Sequence, residues 1–435
     1  MVSCSLIIFY IITLLINPIL CYDTEGRIGH NSVIIHNRLL VFGGWKENET
    51  IDTYYSEMFY LDLTNPFDIK NKSWYLIEEG NLPVYTYLSA AIVSTLDDDI
   101  IYLIGGYRRN ITTNKNDYSN LVYMYNYSTT RWTPLKVDNV TPRQEIMGVI
   151  NNEGTIYIFG GSNAADYNVT AGTLYNDMQI FNVSTMFWSK LNIIYNFPSP
   201  RCAYTANILK NGIIVYLGGI EFDKGTFTNI SEFISGYNYP SMKTIRLFDT
   251  LKSEWAQMNV TGGDDISPRA YHSSVLTTDG YIIILGGIIV LGGIEKYTTV
   301  SPKLAILDTN KDIYEWTIPA SSNSSPILYG HTANLYGNYM ICVFGYDMDN
   351  SDLNSQIYLF DISNYTWVTT YTPPPPITTE PTETNVTNVT TKSLRIGLGV
   401  AGGVVLIILV SIGVIVFKRY RTKPHTPILE ISGTK

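Results

Sequence analysis

The sequence predicts an all-β fold: six repeats of a four-stranded unit within residues 22–370, then a Pro/Thr-rich stretch and one long apolar segment. Three observations predict it. Short apolar runs end in a glycine pair at Gly43-Gly44, Gly105-Gly106, Gly160-Gly161, Gly218-Gly219 and Gly286-Gly287, with a worn copy at Phe344-Gly345. Their β-branched and aromatic content suits strands buried on both faces, and the glycines allow a sharp turn at φ > 0. Each run is followed by a second apolar strand and a Trp: Leu61 and Trp74, Tyr123 and Trp132, Ile180 and Trp188, Leu247 and Trp255, Leu304 and Trp316, Leu359 and Trp367. Upstream, Pro142-Arg143, Pro200-Arg201 and Pro268-Arg269 open a further strand. Strand-only units with a period of about 60 residues point to propeller blades rather than a helical solenoid.

The double glycine, the apolar third strand and the Trp of the fourth, recurring from about Arg27 to Thr370, resemble the kelch repeat. That resemblance implies a six-bladed kelch β-propeller, each blade running from an inner strand a to an outer strand d. Blades are whole in the sequence, strand a of the first beginning near Gly29 and strand d of the last ending near Thr370. Closure of the ring is therefore expected from packing between blades one and six.

Strands b and d lead into loops on one rim, where kelch proteins usually bind. The b–c loops, residues 45–57, 107–120, 162–177, 220–243 and 288–303, read as long and irregular. Exposed Trp45, Tyr107, Arg108, Arg109, Phe222 and Phe227 are the candidate ligand-binding residues there, because aromatic and Arg side chains offer large contact area with polar handles. The competing reading is that they cover their own loops. The segment Ile283 to Gly293 repeats one phrase, Leu-Gly-Gly, and reads as a duplication that lengthens the fifth b–c loop.

The ends carry targeting signals. Residues 1–21, with an apolar core from Leu6 to Leu20, read as a secretory signal peptide, a retained anchor being the alternative. Ile396 to Phe417 is a 22-residue apolar segment followed by Lys418-Arg419-Tyr420-Arg421, long enough to span a bilayer with residues 418–435 as a short basic cytoplasmic tail. A single-pass type I protein of the cell membrane follows, its propeller outside. Gly399 and Gly403 have the spacing of a helix-pairing motif, which allows a homodimer. Residues 371–395, including Pro373 to Pro376, form an extended, glycosylated stalk in this reading. The net charge is −9; setting aside the +4 of the tail, Lys392 and Arg395 leaves −15 for residues 1–391, without the basic patch that nucleic acid requires.

Glycosylation sequons occur at Asn48, Asn71, Asn110, Asn126, Asn139, Asn168, Asn182, Asn229, Asn259, Asn323, Asn364, Asn385 and Asn388, all expected in turns or loops. Asn48, Asn110, Asn168 and Asn229 fall in b–c loops, which confines a binding site to a small area near the central channel. Cys202 and Cys342, in non-adjacent repeats, read as buried thiols rather than a disulfide.

Three residues after the Pro-Arg position the repeats read His30, Tyr87, Ile146, Tyr204, His272 and His331. Histidines facing one axis suggest a metal. The kelch resemblance instead implies a structural hydrogen bond at that position. A resemblance to galactose oxidase adds an alternative: Tyr271-His272 is similar to the ligand strand of that copper radical oxidase, and Cys202 to its cross-linking Cys. The second His of that family comes from an added β-domain, whose place here is taken by the stalk and span, so the copper is under-liganded. The expectation is a non-catalytic cell-surface module, without cofactor or metal, that binds a glycan, peptide or protein through propeller loops. A copper oxidase and a purely structural surface coat are the alternatives.

Overall fold

The computed structural model describes residues 21–46, 53–164, 171–193, 195–290 and 297–375. The signal segment and the apolar segment with Gly399 and Gly403 lie outside these residues, as do sequons Asn48, Asn168, Asn385 and Asn388 and nearly all of the stalk. Among the described residues no helix is long and apolar enough to cross a membrane. The chain divides into two units after Pro374, and of the second only Pro375 is among the described residues.

Six four-stranded antiparallel sheets form the first unit. Sheet 1 is Asn31–Ile35, Arg38–Phe42, Met58–Asp62 and Trp74–Leu76; sheet 2 is Ala90–Val93, Ile100–Ile104, Val122–Asn126 and Arg131–Pro134. Sheet 3 is Gly148–Ile150, Thr155–Phe159, Met178–Asn182 and Phe187–Lys190; sheet 4 is Thr205–Ile208, Ile213–Leu217, Thr244–Asp249 and Glu254–Asn259. Sheet 5 is Ser273–Leu276, Tyr281–Leu285, Leu304–Asp308 and Glu315–Thr317; sheet 6 is Thr332–Tyr336, Tyr339–Val343, Ile357–Asp361 and Thr366–Val368. In chain order the strands of each are a, b, c and d.

Alternation along strand b explains the apolar runs. Ile101 and Leu103 pack towards sheet 1, while Ile100, Tyr102 and Ile104 pack on Ile156 and Ile158 of sheet 3. A strand with neighbours on both faces has no polar side, hence the continuous run. The same exchange continues through Phe159 with Tyr216, Leu217 with Ile284, and Leu285 with Cys342. It returns to the start in Val343 with Val41. The strand-d tryptophans have a common role, in that Trp74, Trp132, Trp188, Trp255, Trp316 and Trp367 each join the apolar cluster shared with the preceding sheet. This closed order of sheets fits a β-propeller.

Backbone hydrogen bonds also tie each sheet to the next. The N–H groups of Gly44, Gly106, Gly161, Gly219, Gly287 and Gly345 donate at 2.8–2.9 Å to the carbonyls of Thr86, Arg143, Arg201, Arg269, Leu328 and Arg27. A Cβ at Gly218 would run into the Arg269 carbonyl oxygen, so the glycine pair is demanded by contact between sheets as well as by its positive φ. Closure between sheets 6 and 1 is more than the packing the sequence suggests. Thr370–Tyr371 pairs with Phe67–Asp68 in the c–d connection of sheet 1, and the Tyr371 hydroxyl donates to the Leu63 carbonyl at 2.9 Å.

The b–c loops are not irregular. Beyond each glycine pair the chain continues as a short strand beside the segment that precedes strand a, building a second tier on that rim. Tyr107–Asn110 pairs with Val84–Tyr87, Ile220–Phe222 with Arg201–Cys202, and Tyr346–Asp347 with Leu328–Tyr329. Ile288–Val290, part of the duplicated phrase, pairs with Tyr297–Thr299 in the same tier, and Ile288 also bridges to Ala270. A helix, Ile230–Gly236, interrupts the fourth b–c connection. Of the described sequons, none is buried; Asn110, Asn126, Asn182 and Asn259 are the last residues of strands rather than loop residues.

Candidate functional site at the mouth of the central cavity

One residue or more ahead of each strand a, the chain passes through the left-handed region. Gly29, Leu88, Glu145, Ala203, Tyr271 and Gly330 all have φ between +54° and +63°. This costs roughly 1–2 kcal/mol at each non-glycine position, which the surroundings must offset. The offset is visible: Leu88 N–H donates to Gly29, Glu145 to Leu88, Ala203 to Glu145, Tyr271 to Ala203, Gly330 to Tyr271 and Gly29 to Gly330, each carbonyl accepting at 2.8–3.1 Å. Six hydrogen bonds thus form a closed ring with one sense of direction. It surrounds the mouth of a cavity of about 340 Å³ between the strands a.

Of the six ring residues, only Glu145 and Tyr271 bring polar side chains to this mouth. The Tyr271 hydroxyl donates to Glu145 Oε1, and the Ser162 hydroxyl donates to Oε2 at 2.8 Å. The Cys202 thiol lies beside the same carboxylate; burial first, and Glu145 second, push its pKa well up. Burial and then the Glu145 charge likewise raise Tyr107. Neighbouring arginines are committed elsewhere: Arg27 to Glu57 at 2.7 Å, Arg143 to Asp177 at 3.0 Å and Arg201 to Glu221. Among the described residues no cation pairs with Glu145. Sequence reading missed Glu145 and Ser162. Aligning the repeats so that Glu145 and Tyr271 take the position of Gly29 and Gly330 is the signal that finds Glu145.

A profile of the KLHDC2/KLHL20/DRC7 Kelch-repeats domain matches residues 5–219. Over those residues the chain is similar to kelch-repeat proteins. Kelch domain-containing protein 3 of Rattus norvegicus is 26% identical over 274 residues, 60% of this chain and 64% of that protein. Kelch domain-containing protein 1 of Homo sapiens is 22% identical over 288 residues, 61% and 63% of the two chains. Acyl-CoA-binding domain-containing protein 4 of Arabidopsis thaliana is 22% identical over 272 residues, 60% of this chain and 35% of that protein. The match therefore spans about 64% of the length of the first of these relatives.

The second tier changes the reading of the rim residues. Trp45, Tyr107 and Phe227 are 6% exposed, Phe222 and Arg108 fully buried. The expected exposed aromatics are corrected on this point, because tier strands fold them onto one another: Tyr107 stacks on Tyr87 at 4.9 Å, and Tyr87 contacts Trp45 at 5.4 Å. Arg108 donates to the carbonyls of Gly105, Asn120 and Leu121. In repeats 1, 3, 4 and 5 the first-glycine carbonyl is met by Arg27, Arg143, Arg201 and Arg269, the residues of the Pro-Arg signature and its counterpart in repeat 1. Repeat 2 has Thr86 at that place, and Arg108 reaches the carbonyl from the opposite strand. Arg109 is half-buried, its guanidinium 4.7 Å above the Tyr54 ring.

Histidine geometry follows the kelch expectation, with one correction of register: Ser89, not Tyr87, follows the ring residue in repeat 2. His30 Nε2 lies 2.8 Å from Thr332 Oγ1, His272 Nε2 3.0 Å from Thr205 Oγ1 and His331 Nε2 2.7 Å from Ser273 Oγ. Each bond crosses to the preceding sheet, and burial holds all three rings well below the ordinary imidazole pKa.

Of the oxidase pattern, Cys202 and Tyr271 meet in one apolar cluster, while His272 turns to Thr205. Tyr271 spends its hydroxyl on Glu145, and among the described residues no three His, Cys, Asp or Glu side chains converge as metal ligands. This donor set does not fit copper. Cys202 and Cys342 are both buried and form no disulfide.

Proposed function

We propose that the chain is a six-bladed kelch propeller that acts as a non-catalytic interaction module, engaging a peptide or protein at the cavity mouth on the b–c rim. The carrying observation is the hydrogen-bonded ring, which presents Glu145 and Tyr271 at the entrance of a cavity of about 340 Å³. That size lies at the small end of ligand pockets, suited to one inserted side chain with the remainder on the rim. The closed sequence of six apolar clusters supports the blade number.

The proposal includes a single-pass type I placement at the cell surface, supported by the apolar segments at both ends and the basic cluster at 418–421. The exposed or half-buried sequons of the described residues are compatible with glycans on that surface. A membrane-impermeant biotin reagent on intact cells, with enzymatic removal of N-glycans, tests placement. Labelling and a downward mass shift are expected; protection with no shift overturns it. For function, copper-loaded full-length protein is assayed for peroxide release and probed on peptide arrays. Peptide binding without peroxide is expected, and peroxide release overturns the non-catalytic reading.

A further inference from the structure

We propose that the cavity mouth receives a cationic side chain, a lysine ammonium or arginine guanidinium of a peptide ligand, with Glu145 as its counter-charge. The inference rests on the mouth being the recognition site and names the ligand chemistry it selects. Glu145 is held in place by its backbone: its N–H and C=O are both in the ring, and its φ is +56°. The side chain lines the cavity, with one oxygen held by Tyr271 and the other by Ser162. The Cys202 thiol is a third partner, and all three donors are neutral; two carboxylate oxygens with about four lone-pair sites still have room for a further donor.

A carboxylate at the wall of a narrow cavity without a cation is poorly compensated, and an opposite charge within about 4–6 Å is strongly favoured there. The surrounding arginines cannot supply it, because Arg27, Arg143 and Arg201 are held by their own acids and by glycine carbonyls. Tyr271 borders the same entrance, and an aromatic ring is a favourable neighbour for a cation. Residues 1–391 are acidic overall, which steers cationic ligands towards this unit. A purely structural carboxylate, linking repeats 3 and 5 through Tyr271, is the competing role.

Full-length protein in detergent micelles is immobilised and panned against a random heptapeptide phage library. The expected result is a set of peptides sharing one Lys or Arg. Exchange of that residue for norleucine or citrulline in synthetic peptides is expected to weaken binding at least about tenfold, as loss of a hydrogen-bonded charge does. On Glu145→Gln protein the same exchange is expected to make no further difference. Peptides without a shared cation, or an exchange that costs as much on Glu145→Gln as on the native chain, overturn the charge assignment while leaving the interaction module intact. Recovery of no peptide overturns both. The ligand-side exchange needs no protein variant, so it decides the matter even where Glu145→Gln fails to fold.

Discussion

Tyr371 is the sharpest test of how the sheets close on each other. Its side chain is fully buried, its ring stacks on Phe67 at 4.8 Å and meets Tyr339 at 5.2 Å, and its hydroxyl donates to Leu63 O at 2.9 Å. Truncation of a buried aromatic to Ala costs about 3–5 kcal/mol. Removing the hydroxyl alone leaves the stacking and costs about 0.5–1.5 kcal/mol. Tyr371→Ala is therefore expected to lose about 3–5 kcal/mol and Tyr371→Phe about 1 kcal/mol. Tyr195→Ala, at a residue 74% exposed, serves as control and is expected within about 0.5 kcal/mol of the native chain. The assay is urea unfolding followed by Trp fluorescence, read as a shift in midpoint at unchanged slope. A Tyr371→Ala midpoint that coincides with the Tyr195→Ala control refutes the claim that this residue holds the seam.

Three further outcomes are expected. Arg108→Ala, which removes a fully buried guanidinium and its charged hydrogen bonds to three carbonyls, that of Gly105 buried, should lose about 3 kcal/mol, whereas Arg109→Ala should stay within about 1 kcal/mol; equal losses in urea unfolding would contradict the assignment of Arg108. His30, His272 and His331 are neutral in the folded state, with His331 pushed down to about 3 by burial, so protons favour the unfolded chain. Their contribution is full above the unfolded imidazole value near pH 6.5 and is lost below it, by about 1 kcal/mol per histidine between pH 6.5 and 5.5. A His272→Gln, His331→Gln double variant should flatten that stretch of the stability profile, and an unchanged slope counts against it. Peptide mass analysis after copper loading should show Cys202 alkylated once the chain is unfolded; a Cys202–Tyr271 product two hydrogens lighter would establish the oxidase chemistry instead.

The four strands of each repeat are legible in the sequence because their cause is local and repeated. An apolar run such as Ile100 to Ile104 has only one way to be buried on both faces, and Trp188 or Trp255 marks the outer strand that covers the preceding sheet. The second tier is not legible. Tyr107 and Phe222 look like exposed loop aromatics because their partners, Tyr87 and Pro200, lie in the segments that precede strand a and carry no strand signal of their own. The helix at 230–236 does carry a signal: Asn229 accepts the Glu232 N–H at 2.8 Å, and Glu232 reaches back to the Thr228 N–H at 2.9 Å, a cap written as Asn-x-x-Glu. Reading Asn229 as a sequon hides it. Glu145 escapes because its role comes from left-handed backbone, and nothing in the residue type announces φ. Seam residue Tyr371 reads as stalk because the Pro run beginning two residues later dominates the local composition.

Pro374 lies beside Gly337, in the a–b turn of sheet 6, so the chain leaves this unit from the face opposite the cavity mouth. The last paired strand before that exit is Thr370–Tyr371, which is also the seam. Tension applied through the C-terminal end is therefore delivered first to the join between sheets 6 and 1, where two residues of ladder and one buried phenol carry it. The mouth, at the far end of the strands, is mechanically the most sheltered part of the unit, and its ring of hydrogen bonds is the last feature such a pull would reach.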